Sequence, residues 1–338
     1  MNSIHQFTNR RSAFVRVWPL ACGLLLLLIS PPYLFAGQQQ RRASATRDAV
    51  AAASTVRAEM LVSTEWLAKH INDSRLVILH VARDRAHYEQ GHVPGARFVA
   101  WADITATRGG VPNELPPVAA LQQLFQKLGI GDEGRIVLYG DNAGLSPARA
   151  YFTLDYLGHG HRATLLNGGI EKWRSERRTT STESTAHQSA QFTPRVSSPR
   201  VVDLDVMRDL SWTAANIDGP NVTLLDARPA EEYTGVKPGD SITRGGHIPG
   251  AVNLFWMQHV VSRENPVLKP VAELRRLYNA AGVAPSRAVV TYCRTGGQSS
   301  HSYFVAKYLG YDVSMYDGSF FEWDKSTDAP VVSGEQRK

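Results

Sequence analysis

One stretch of the chain gathers residues able to do covalent chemistry: Thr291-Tyr292-Cys293-Arg294-Thr295-Gly296-Gly297-Gln298-Ser299-Ser300. It lies between an apolar run, Val289 to Tyr292, that reads as a buried strand, and a following helix. Ligands in open α/β folds gather at that end of the strands. Gly296 and Gly297 let the backbone curl without a Cβ penalty. Successive N–H groups can then aim at one point and form an anion nest. The helix N-terminus adds partial positive charge, and Arg294 adds a cation. Such surroundings favour a thiolate and a bound anion together. The natural product is a thiolate carrying one more sulfur, held by the amides of residues 294–298. A structural cysteine at a strand end is the competing reading, and the loop alone leaves both open.

The elements that position this loop come from a repeat. His92-Val93-Pro94-Gly95-Ala96 recurs as His247-Ile248-Pro249-Gly250-Ala251, and Val81-Ala82-Arg83 matches Asp226-Ala227-Arg228. Leu121, Leu124 and Phe125 match Leu274, Leu277 and Tyr278. Ile136-Val137-Leu138-Tyr139 matches Val289-Val290-Thr291-Tyr292, and Trp173 matches Trp323. So many matches in one order identify a duplicated unit. Short apolar runs alternate with helically spaced stripes such as Phe304, Val305, Tyr308 and Leu309. That alternation predicts an α/β fold, each half a mainly parallel sheet flanked by helices on both faces. The Ser/Thr-rich residues 179–199 read as a linker between segments 57–178 and 200–335.

On these residues the chain resembles the rhodanese family over about residues 57–335. The resemblance rests on Asp226-Ala227-Arg228, the paired His-[Val/Ile]-Pro-Gly-Ala segments, the Cys293–Gln298 loop and the terminal Phe321-Glu322-Trp323. It implies two rhodanese-like domains, an inactive N-terminal one and a catalytic C-terminal one. In the first repeat Gly140 stands where Cys293 stands in the second, and Val81 replaces Asp226. The family pattern makes Cys293 the sulfur-carrying nucleophile in a ping-pong transfer from thiosulfate to cyanide or a thiol. Arg294, Thr295, Gly296, Gly297 and Gln298 would hold the donor, and Asp226 would help to hold the loop. Arg228 is expected in a structural ion pair, and His247 in a structural role like that of His92. The mercaptopyruvate-type loop reads Cys-Gly-Ser-Gly, which is absent here. Relatives often carry a substrate-contacting arginine six residues after the aspartate, where this chain has Glu232; Arg244 is the candidate to compensate. 3-Mercaptopyruvate as donor, and a non-catalytic binding or sulfur-carrier module, are the alternative readings.

Other classes fit less well. Cysteine phosphatases place an arginine six positions after the cysteine; here that position is Ser299, so no bidentate clamp for a phosphoryl group exists. No His/Cys cluster has metal-ligand spacing, and no metal or organic cofactor is expected beyond the covalent persulfide. The net charge is +6, but Arg10, Arg11 and Arg16 lie in an N-terminal stretch without acidic residues, leaving +3 for the rest. No dense basic run is interleaved with aromatics, so nucleic acid is not an expected partner. Expected partners are a small-molecule sulfur donor and acceptor, with the chain a monomer.

Residues 1–36 combine a basic start, the run Leu24 to Ile29 and a cleavage-like Leu34-Phe35-Ala36. This is the organisation of a signal peptide, followed by a polar stem over residues 37–56. Export, to a periplasm, is the expected outcome, with a membrane contact only if the leader stays uncleaved. Cys22 falls inside the leader, so the processed chain would hold one thiol and no intramolecular disulfide.

Overall fold

The computed structural model describes residues 55–140, 142–216 and 221–336. The stretch read as a leader, and nearly all of the stretch read as a stem, lie outside the described residues. The first repeat runs β1 (Leu61–Val62), α1 (Thr64–His70), β2 (Leu76–Ala82), α2 (Ala86–Glu89) and β3 (Arg97–Ala100). It continues through β4 (Ala106–Arg108), β5 (Val111–Glu114), α3 (Val118–Lys127), β6 (Arg135–Gly140), α4 (Leu145–Tyr156), β7 (Ala163–Leu166) and α5 (Gly169–Ser175). The second runs β8 (Val201–Val202), α6 (Leu204–Asn216), β9 (Val222–Asp226), α7 (Ala230–Thr234) and β10 (Val252–Asn253). Then follow α8 (Val271–Ala280), β11 (Ala288–Tyr292), α9 (Gly297–Tyr308), β12 (Val313–Tyr316) and α10 (Ser319–Lys325).

Both halves build a five-stranded parallel sheet in equivalent order, β1-β7-β6-β2-β3 and β8-β12-β11-β9-β10. The strands are short and apolar because both faces are covered. Ile136 and Leu138 of β6 point to one core, Val137 and Tyr139 to another. In β11, Val289 and Val290 divide in the same way. The antiparallel β4–β5 hairpin of the first repeat has a shorter counterpart in the second, where Val260 bridges Leu268 antiparallel.

One core crosses the repeats. It joins α4 of the first to α9 of the second, each the helix that follows a central strand. Tyr151 meets Phe304 edge-on at 4.9 Å, and Phe152 meets Tyr303 at 5.1 Å. Each such pair contributes about 1 kcal/mol beyond its buried area. Asp155 of α4 accepts hydrogen bonds from the Tyr303 hydroxyl and the Lys307 ammonium of α9.

Residues 179–199 are more than a tether. Ser181 bridges His92, and Phe192 is fully buried against Phe125 and His159. Their polar composition predicts solvent, but one aromatic anchor and a backbone bridge press the segment onto the first repeat.

The duplicated histidines are structural. His92 stacks on Tyr88 at 3.7 Å and bonds its backbone oxygen through Nδ1; His247 does the same with Tyr233 at 3.7 Å. The Nε2 atoms then reach Glu183 O and Gln336 O, each at 3.1 Å. Each histidine therefore fastens the segment that leaves its own repeat.

Candidate functional site

Cys293 follows β11, whose neighbour β9 connects to the opposite side of the sheet. This is the switch point at the carboxyl ends of the strands, where open α/β sheets bind ligands. Gly296 takes the left-handed conformation (φ 84°) that turns the loop into α9; Gly144 (φ 83°) does so for α4 in the first repeat. A Cβ on Gly296 would also crowd Arg149 Nη1 and Asp317, at 3.2 Å.

The loop is fixed from behind. Phe320 and Phe321 at the start of α10 donate backbone N–H groups to the carbonyls of Cys293 and Arg294, both at 2.9 Å. Ser319 Oγ accepts from the Cys293 N–H at 3.3 Å. Among the described residues, the N–H groups of Arg294 to Ser299 have no protein acceptor. They are the donors that a nest and a helix start leave free for an anion. Gln298 Oε1 is buried and likewise without a partner.

The thiol itself is 1% exposed, so access runs through a cavity of about 380 Å³. Cys293, Arg294, Thr295, Gly297 and Gln298 line it, as does Phe321. Part of the wall comes from the other repeat: Arg83, Pro112 and Leu145. Trp101 and Leu145 of the first repeat share one apolar cluster with Trp256 and Cys293.

Asn113 joins the halves. Its Oδ1 accepts from Trp101 Nε1 and its Nδ2 donates to Thr295 Oγ1, both at 3.0 Å. Its carbonyl accepts from Arg149 Nη2 at 2.7 Å. Arg149, fully buried, also donates from Nη1 to Asp317 Oδ1 at 2.7 Å. Asp317 Oδ2 accepts the Leu115 N–H at 2.7 Å.

Several sequence-predicted donor contacts need correction. Arg244 is not at the cavity: it donates to the carbonyls of Trp323, Asp324, Ser326 and Ala329 and pairs with Asp324. It staples the C-terminal segment, because carbonyls from the last turn of α10 and the residues after it converge on its guanidinium. Asp226, expected to help hold the loop, does not line the cavity. It is fully buried, and both oxygens accept from the Arg228 guanidinium. Arg228 is the structural ion-pair partner expected from the sequence. Asp226 supports the loop only from below, as the strand neighbour of Tyr292. Gly296 shapes the loop rather than lining the cavity.

Arg294 reaches the cavity but is held by carboxylates, Glu232 Oε1 at 3.0 Å and Asp240 Oδ2 at 3.3 Å. Glu232, the departure noted in the sequence, therefore engages the loop cation. Burial raises the Glu232 carboxyl above its ordinary range, and the Arg294 charge works against that.

A larger cavity, about 1050 Å³, shares Phe321 with the first but does not include Cys293. Glu114, Asp317 and Glu322 all line it. Burial first, then Asp317 and Glu322, pushes Glu114 up to about 7. A carboxyl raised in the folded state is unpenalised below its unfolded value of about 4.3 and costs stability as pH climbs to about 7. Glu114→Gln is therefore expected to stabilise the protein at pH 8 and to be neutral near pH 4. With the site half open to solvent, the gain is about 1 kcal/mol, or about 3 °C in Tm. Melting curves at the two pH values check this; an equal effect at both counts against it.

Comparison with known proteins agrees with this geometry. The Rhodanese-like domain family matches residues 63–176 and 209–326. A sulfur carrier protein, TtuD, of Thermus thermophilus is 34% identical over 293 residues, covering 82% of this chain and 98% of that protein. A thiosulfate sulfurtransferase of Corynebacterium glutamicum is 32% identical, covering 83% and 92%. Among solved structures, the anaerobic ergothioneine biosynthesis enzyme from Chlorobium limicola superimposes with a TM-score of 0.71 at 23% identity, covering 81% and 70%.

Proposed function

This chain belongs to the rhodanese family, and on that premise we propose that it is a thiosulfate sulfurtransferase working through a persulfide at Cys293. Its relatives support the coarser statement, that the chain transfers sulfur from a small-molecule donor to an acceptor. The observation that carries the finer reading is the position of Cys293 at a cavity lined by Arg294, Thr295, Gly297 and Gln298, in a loop whose N–H groups have no protein acceptor among the described residues. Such donors solvate an anionic substrate and then the persulfide anion.

In this cycle the Cys293 thiolate attacks the outer sulfur of thiosulfate. A new S–S bond forms, the S–S bond of thiosulfate breaks, and sulfite leaves with its electron pair. Cyanide or a thiolate then attacks the outer sulfur of the persulfide, releasing thiocyanate or a new persulfide and restoring the thiolate. The two half-reactions share one site, so ping-pong kinetics follow. The cycle uses no metal or organic cofactor. The reading extends to export and removal of residues 1–36, supported by the tripartite leader.

The test gives the protein thiosulfate or 3-mercaptopyruvate, with cyanide, and follows thiocyanate together with the mass of the Cys293 peptide. Turnover with thiosulfate and a peptide heavier by one sulfur are expected. Turnover with mercaptopyruvate alone would reassign the donor. A persulfide that forms but passes only to a protein thiol would favour the carrier role that the name of the Thermus relative describes.

A further inference from the structure

We infer that the cation receiving the anionic sulfur donor is Arg83, supplied by the N-terminal repeat. This rests on the reading of Cys293 as the sulfur acceptor. Arg83 and Arg294 are the two cations lining the cysteine's cavity among the described residues. Arg294 is engaged by Glu232 and Asp240. Arg83 has no carboxylate or carbonyl partner among the described residues. Its guanidinium lies over the Trp101 ring at 4.6 Å. That stacking holds the face of the group and leaves its N–H edge for a ligand. Trp101 is itself buried, anchored by Asn113 and clustered with Cys293.

The repeat explains how Arg83 came to be free. Its counterpart Arg228 folds back on Asp226, two residues earlier, and is fully buried. In the first repeat that aspartate position is Val81. A valine side chain accepts no hydrogen bond, so Arg83 has no carboxylate there to close on and stays exposed at the cavity rim. Loss of one carboxylate thus converts a structural ion pair in the second repeat into an available cation in the first. A rim cation attracts anions in proportion to their charge and is screened by salt. It acts on donor capture and leaves the chemistry at sulfur to the loop.

The experiment uses the full chain and reads the Cys293 peptide. For Arg83→Gln, half-saturation of persulfide formation by thiosulfate should rise about tenfold, with the rate at saturation changed by less than about threefold; Arg83→Lys should recover part of the loss. A second readout needs no sulfur transfer: alkylation of Cys293 by iodoacetate against iodoacetamide, which differ chiefly in charge. The ratio of the two rates should fall about tenfold in Arg83→Gln. It should stay within about twofold in Arg294→Gln combined with Glu232→Gln, which removes the neutral pair as a unit. An unchanged ratio in Arg83→Gln, or an equal fall in the paired variant, overturns the assignment. If the wild type forms no persulfide, the sulfur-transfer reading fails while the alkylation ratio still decides the role of Arg83.

Discussion

Cys293→Ala is expected to abolish thiocyanate formation, by a factor of about 10⁴ or more, and to leave no sulfur added to the protein under donor alone. No other described residue is a free cysteine. Cys22 lies outside the described residues, in the stretch read as leader. The loss is chemical rather than structural. Removing one buried sulfur leaves a space smaller than a methylene pair and costs about 1 kcal/mol. The glycine turn, the α10 amides and the Asn113 link do not involve the sulfur. The variant should therefore melt as a folded protein close to wild type. More than a tenth of wild-type activity in Cys293→Ala would refute the persulfide cycle. A normal persulfide with lost turnover in some other variant would instead point to the acceptor half-reaction.

Arg149→Met, a change in the first repeat, is expected to cost much of the protein's stability. The substitution leaves Asp317 buried with the Leu115 N–H but without its cation. Breaking a buried pair from one side costs about 3–5 kcal/mol, or about 10 °C in Tm for a chain of this size. The same change frees the carbonyl of Asn113, which fastens Thr295, and removes the group packed against Gly296. Activity should fall with stability even at temperatures where the variant is folded. Replacing Asp317 as well, by asparagine, should recover part of the stability, since the stranded charge disappears. Thermal melts of the single and double variants test this; a Tm shift below about 2 °C for Arg149→Met would show that the pair contributes little.

Much of the fold was legible because duplication and strand–helix alternation leave local patterns. The matches between Ile136-Tyr139 and Val289-Tyr292 located the two central strands, and the glycines after them located the turns. The place of Cys293, directly after the second of these strands, was legible for the same reason. The walls of its cavity were not. Asn113 meets Thr295 across 182 positions, and Arg149 meets Asp317 across 168. Contacts at that separation follow from how two finished layers dock, which no periodicity records. Arg244 misled because a conformation-dependent choice, several helix-end carbonyls against one cavity, cannot be read from adjacency. A usable signal for Arg83 did exist. Val81 in place of Asp226 announces an arginine deprived of its usual partner.

The placement of Trp101, Pro112, Asn113 and Leu145 around a thiol they do not precede or follow in sequence has an evolutionary consequence. The protein is in effect an intramolecular heterodimer: on the proposed cycle one copy carries the reagent and the other, without it, lines the way in. Divergence of donor preference among such proteins should then accumulate in the half that lacks the counterpart of Cys293. If the proposed cycle holds, a library aimed at new sulfur donors belongs there, where changes can alter what enters without touching Cys293.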